Sequence, residues 1–194
     1  WQKPRFRLYP LMPSNNSKIL NYRPMKNKKL IKANEEMLEE LLEKGFKPAW
    51  YVVYHLNDGL NSRFQQKRRI DPDEVSNDIR YHKHVLYQWI YQNRRWSKIK
   101  GRAKSLWTIE YGQSETHPHI NMVIEELPSH LDEKKRLEDF FNLTLALRAK
   151  SVLFDSAYVQ PVVPTTAMKL LRYICKETNE NNASIDYYST DWLL

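Results

Sequence analysis

The stretch from Trp107 to Glu126 does most to constrain the fold. Trp107-Thr108-Ile109-Glu110 is followed by a polar turn, and then by His117-Pro118-His119-Ile120-Asn121-Met122-Val123-Ile124-Glu125-Glu126. This pattern predicts two strands joined by a short connection. Side chains alternate across a strand, so His119 and Asn121 share one face and Ile120 takes the other. Glu110, near the end of the first strand, is brought beside His119 by the hairpin. A carboxylate, an imidazole and an amide oxygen on one sheet face suit Mg²⁺ or Mn²⁺, with positions left for water and phosphate. His117 is in phase with His119 and ranks below it as a ligand, because Pro118 lies between them. The bland alternative is a hairpin with polar residues on its outer face.

The rest of the chain supplies the context. Residues 1–29 hold four of the ten prolines and little periodicity, and are expected to form a basic arm. Leu30, Ala33, Met37, Leu38, Leu41 and Leu42 recur at helical spacing, and Gly45 gives a stop. Ala49 to Leu56 is β-branched and aromatic and predicts a buried strand. A basic loop with Arg63, Lys67, Arg68 and Arg69 around Phe64 follows. A helix is expected from Asp71 or Asp73 to about Asn93. His82 and His84 do not share a helical face, which excludes them as a metal pair. Lys98, Lys100 and Arg102 form a second basic connection. Beyond the hairpin, helices are expected over 132–150 and from Ala167 to about Glu177, with a strand over 156–163 between them. Pro161 marks that strand as an edge or irregular one.

With its first and last helices set aside, this order is β-α-β-β-α-β, an α+β chain on the split βαβ or ferredoxin-like plan. That plan places the first and third strands at the centre of an antiparallel sheet, with helices on one face and the other face open. The expected divisions are the arm at 1–29, a domain at 30–180 and a C-terminal extension at 181–194.

Composition narrows the chemistry. Gly numbers only 4, and neither G-x-G-x-x-G nor a Walker pattern is present, which argues against a glycine-rich phosphate cradle. The lone Cys175 leaves no internal disulfide and fits a reducing, intracellular setting. No apolar run approaches the roughly 20 residues of a membrane helix. The net charge of +8 favours polyanionic partners, nucleic acid above all. The chain opens on Trp1, as an excised piece of a longer protein would.

A second chemical signal lies at Leu170-Leu171-Arg172-Tyr173-Ile174-Cys175-Lys176-Glu177. On a helix Tyr173 and Lys176 share a face, with Lys169 one turn earlier. Ammonium groups beside a tyrosine favour its phenolate, the nucleophilic form. The alternative is a tyrosine packed on the sheet while the lysines reach solvent.

Taken together, the two signals resemble the HUH endonucleases, and in particular the replication-initiator domains of small circular single-stranded DNA viruses and related plasmids. The three family motifs match Trp50 to Asn57, Pro118-His119-Ile120-Asn121, and Tyr173-Ile174-Cys175-Lys176, over roughly residues 49–177. Asn121 departs from the histidine or glutamine usual at its position. An alternative register pairs His117 with His119.

The resemblance implies Glu110, His119 and Asn121 (or His117) as Mg²⁺ or Mn²⁺ ligands, Tyr173 as nucleophile and Lys176 as its phosphate-positioning partner. It implies single-stranded DNA at an origin stem-loop as substrate. Arg63, Lys67, Arg68, Arg69, Lys98, Lys100, Arg102 and Lys169 would be the DNA contacts. The expected activity is nicking and joining through a 5′-phosphotyrosine, which initiates rolling-circle replication in the host nucleus or cytoplasm. A helicase domain or protein is the expected partner. Glu177 occupies the place of a second tyrosine, so a single-tyrosine enzyme is expected. The rivals are an RRM-like binding module without catalysis, and a transposase or relaxase of the same superfamily. An RRM needs paired aromatics where His119 and Asn121 stand.

Overall fold

The computed structural model describes residues 28–56, 72–110, 118–175, 185–186 and 188–191. The expected arm falls almost wholly outside them. In chain order the elements are α1 (Lys28–Glu43), β1 (Pro48–His55), α2 (Pro72–Tyr91), β2 (Ser105–Glu110), β3 (His119–Glu125) and α3 (Lys134–Asp139). Helix α3 continues through a π-helical stretch, Phe140–Leu145, into the short α4 (Ala146–Arg148). Then come β4 (Tyr158–Pro161) and α5 (Ala167–Ile174).

Helix α1 ends where the sequence signals it. Gly45 is left-handed, with φ +93°. Its amide bonds to the Leu42 carbonyl and the Phe46 amide to that of Leu41, both at 3.0 Å. This Schellman closure satisfies carbonyls that the helix end would otherwise strand, and it turns the chain into β1.

The four strands form one open antiparallel sheet in the order β2-β3-β1-β4. β1 and β3 lie at the centre, as the element order requires. This α+β arrangement is compatible with the split βαβ plan. Among the described residues no helix is long and apolar enough to cross a membrane.

The expectation of helices on one face alone is corrected. On one face Trp50, Val52, Tyr54, Trp107, Ile109, Ile120 and Met122 pack with Ile79 and Leu86 of α2 and with Leu137, Phe140 and Phe141. On the other, Tyr51, Leu106 and Val123 pack with Leu38 and Leu41 of α1 and with Leu171 and Ile174 of α5. The reason is in the strands, which are apolar in both phases along their inner halves. Such near-continuous runs mark a sheet buried on both sides. Helix α1, which the split βαβ plan leaves out, supplies part of the second cover.

The C-terminal residues pack back on the sheet along the outer edge of β2. Ile185 bridges Thr108. The Asp186 amide donates to the Trp107 carbonyl at 2.9 Å and the Asp191 amide to that of Ser105 at 2.8 Å. The Trp107 amide in turn donates to Thr190 Oγ1 at 3.1 Å.

Asp191 also closes a buried polar cluster. It accepts from Lys83 at 2.8 Å and Arg102 at 2.7 Å. Tyr87 Oη donates to it at 2.9 Å and the Ser105 amide at 3.0 Å. Burial pushes this carboxyl up, but the bonds from Arg102 and Lys83 outweigh burial and hold it below the usual range. His82 is a second buried polar group, held by Tyr54 Oη at 2.8 Å and Ser151 Oγ at 3.3 Å.

Candidate active site at one end of the sheet

Strand register builds the site. β2 and β3 pair so that Glu110 faces His119 and Thr108 faces Asn121. β3 and β1 pair so that His119 faces His55 and Asn121 faces Val53. Directly opposed residues project to the same face. Glu110, His119 and His55 therefore form one row across three strands, and Thr108, Asn121 and Val53 form the next row inward.

His55 escapes sequence reasoning, because it reads as the end of a buried strand. A signal is present all the same: it ends the phase Tyr51, Val53, His55, and it is the one imidazole in that phase. Its ring stacks on that of His119, with centroids 4.1 Å apart and planes within 3°. An imidazole nitrogen binds a cation along its lone pair, which lies in the ring plane. Two parallel rings stacked at this distance cannot point at one ion. His55 therefore props the His119 ring instead of sharing its ligand role.

Asn121 is 2% exposed. Tyr51 Oη donates to its Oδ1 at 2.7 Å. Among the described residues its Nδ2 has no hydrogen-bond partner, nor does the buried Oγ1 of Thr108 opposite. Leaving a buried donor unpaired costs about 1–3 kcal/mol. A half-turn exchanges the oxygen and nitrogen of an amide. Turned so, Asn121 donates to Tyr51 and places its oxygen in the unpartnered position, which is what a hard cation requires. Among the described residues no three His, Cys, Asp or Glu side chains gather as a metal group. Among the described residues the Asn121 amide is the group in the adjacent row that would complete a set with Glu110 and His119. With it, the donors fit Mg²⁺ or Mn²⁺. His117, the other candidate, lies outside the described residues.

Tyr173 comes from the last turn of α5 and is 55% exposed. Its charge bears on Tyr51. The Tyr51 hydroxyl is pushed well above its ordinary range, first by burial, then by Tyr173, then by Glu110 and Tyr158. The hydroxyl that holds Asn121 is thus the one on which both Tyr173 and Glu110 act. Arg172 fixes this helix to α1 through Glu39 at 3.0 Å and Glu35 at 3.8 Å. Leu171 and Ile174 bury against the sheet, which turns Tyr173 outward. Lys169 is exposed one turn earlier. Lys176 lies outside the described residues, and α5 ends at Ile174, short of the expected helix end.

The basic residues divide. Lys98 and Lys100 are exposed but precede Ser105, the far end of β2 from Glu110. A six-residue strand separates the two ends by roughly 17 Å. Arg102 is bound to Asp191 and lies over the rings of Tyr87 and Trp96, 5.2 and 5.3 Å from their centroids. These three do not flank the candidate site, and Arg102 serves the fold. Arg63, Lys67, Arg68 and Arg69 lie outside the described residues. No family model, curated protein or solved structure matches the chain.

Proposed function

We propose that this chain nicks and rejoins single-stranded DNA at a replication origin, with Tyr173 as nucleophile, on a split βαβ scaffold of the HUH type. The observation that carries the reading is the convergence on Tyr51. One hydroxyl binds Asn121, and the charges of Tyr173 and Glu110 both push its pKa up, so groups from β3, α5 and β2 act on it. Supporting it are the opposed Glu110 and His119 and the propping ring of His55.

In the proposed reaction Tyr173 Oη forms a bond to the scissile phosphorus and the bond from phosphorus to the 3′ oxygen breaks. The phenolic proton passes to water at the exposed face of α5, and the departing 3′ oxygen takes up a proton to become a free hydroxyl. The 5′ phosphate remains on Tyr173, which conserves the phosphodiester for rejoining. Glu110, His119 and Asn121 would hold Mg²⁺ or Mn²⁺, which would polarise the phosphate and offset charge in the transition state. The exposed Lys169 adds positive charge beside the nucleophile. Lys176 enters on the resemblance alone, as the residue that positions phosphate. Initiation of rolling-circle replication, a helicase partner and residence with the replicating element belong to the same reading.

The test is a covalent adduct. Protein incubated with Mn²⁺ and a stem-loop oligonucleotide should yield a species that migrates slowly on a denaturing gel. EDTA and Tyr173→Phe should each abolish it. An adduct that persists in Tyr173→Phe rejects the nucleophile. Binding without any adduct in the parent protein returns the chain to the class of non-catalytic nucleic-acid-binding modules.

A further inference from the structure

We propose that a cleft on the opposite helical layer, between the end of α2 and the π-helical stretch, is a nucleotide-binding subsite. It has a volume of about 340 Å³ and is lined by Gln88, Trp89, Gln92, Arg94, Thr144 and Arg148, among others. Ligand pockets run from roughly 300 to 1,000 Å³, so this one has room for a single nucleotide unit.

The lining chemistry selects that class. Arg94 and Arg148 approach from different parts of the chain, both exposed, and among the described residues no carboxylate lines the cleft. Neither guanidinium takes part in an ion pair among the described residues, in contrast to Arg102 and Arg172. A guanidinium fork matches phosphate oxygens in a paired geometry. Trp89 packs on Phe140, with ring centroids 4.7 Å apart, so the indole is held in place as a stacking platform for a base. Gln88, Gln92 and Thr144 supply both donors and acceptors for base edges and sugar.

Backbone geometry points to the same place from both walls. Helix α2 stops with Gln92 left-handed at φ 50°, a position that ordinarily takes glycine or asparagine. Gln92 Nε2 then donates to the Trp89 carbonyl at 2.8 Å. On the facing wall Thr144 sits in the π-helical Phe140–Leu145. Left-handed non-glycine residues and π-helical turns both concentrate at functional sites. Here two separate elements give up regular geometry where one cleft needs its polar groups. The cleft belongs to the α2 layer and Tyr173 to the α5 layer, so the proposal does not depend on the reading of the Tyr173 site.

The test uses the Tyr173→Phe protein in EDTA, so that catalysis and metal play no part. The readout is fluorescence anisotropy of a short labelled oligothymidylate, with dTMP and inorganic phosphate as competitors. Arg94→Gln with Arg148→Gln should weaken binding about tenfold or more. It should also lower the slope of log affinity against log salt by about 0.7 for each phosphate left without its guanidinium. The charge-matched Lys98→Gln with Lys100→Gln should change affinity less than about threefold. Gln92→Gly should raise Tm by about 2–4 °C while weakening binding, a combination that a purely structural role does not produce. Competition by dTMP marks a site for free nucleotide. Its failure, with the arginine dependence kept, marks a nucleotide unit within a strand. Both outcomes uphold the subsite. Equal losses in the arginine and lysine pairs, or inorganic phosphate competing as well as dTMP, overturn it.

Discussion

The two ends of the central sheet hold similar polar groups in opposite states. At the Ser105 end, Asp191 is bonded by Lys83, Arg102, Tyr87 and Ser105. At the Glu110 end, Asn121 and Thr108 are buried with polar atoms unpartnered among the described residues, and Tyr173 stands more than half exposed. A buried network with its partners in place acts as a fastening. A buried amide short of a partner beside an exposed hydroxyl is costly to the fold, and such cost collects where a ligand completes the set. Ser189 Oγ and Asp186 Oδ2 are also buried without a partner among the described residues, so the contrast is specifically between the ion-paired Asp191 and the half-bonded Asn121 amide.

The sharpest way to break this comparison is Asp191→Asn. It leaves Lys83 and Arg102 in a largely buried site without their countercharge. A loss of about 3–5 kcal/mol is expected in urea unfolding. Adduct formation per folded molecule should be unchanged, and a parallel loss of activity would merge the two ends.

Acid comes next. Burial pushes the His82 imidazole down to about 3. Only the unfolded chain binds its proton between about pH 6.5 and 3, so the His82 contribution is complete above 6.5 and falls as pH drops through that window. The slope is about 1.4 kcal/mol per pH unit, or roughly 3 kcal/mol by pH 4.5. The Asp191 contribution persists through this range, because its carboxyl is held below the usual value. A His82→Gln protein should show a flatter stability curve from pH 6.5 to 4.5, and an unchanged slope would reject the assignment.

Smaller still is the paired change Tyr51→Phe with Asn121→Leu. It removes both members of a half-satisfied pair, so stability should stay within about 1 kcal/mol of the parent protein. Mn²⁺ binding, read by calorimetry, should be lost. The least effect on stability belongs to Tyr173→Phe, within about 0.5 kcal/mol for an exposed hydroxyl, against complete loss of adduct.

Local pattern makes most of the elements legible. The alternation about His119 places β3, and the spacing of Leu38 and Leu41 places α1. Glu110 and His119 are legible as opposed residues because a hairpin fixes register over short range. What escapes is long-range or irregular. Arg102 resembles a phosphate contact in a basic loop, and nothing local announces Asp191 as its partner. The doubled apolar phase of β1 does carry the second helical layer, but a split βαβ template has no place for Tyr51 and Val123 under helices. The π-helical turn at Phe140–Leu145 has no signature in apolar spacing, which continues across it. Tyr51 is visible as an aromatic. Its role requires the pairing of β1 with β3, which brings its hydroxyl to Asn121.

An open sheet has two edges, and each is a template on which another chain can add a strand. Here β2 spends its outward amide and carbonyl groups on residues 185–186 and 188–191. The other edge, β4, is four residues long and ends in Pro161, which has no amide hydrogen to offer. The C-terminal residues thus act as a stopper against self-association. A chain cut after residue 184 would bare β2 and should show concentration-dependent β-rich aggregation in light scattering, even where its remaining core stays folded.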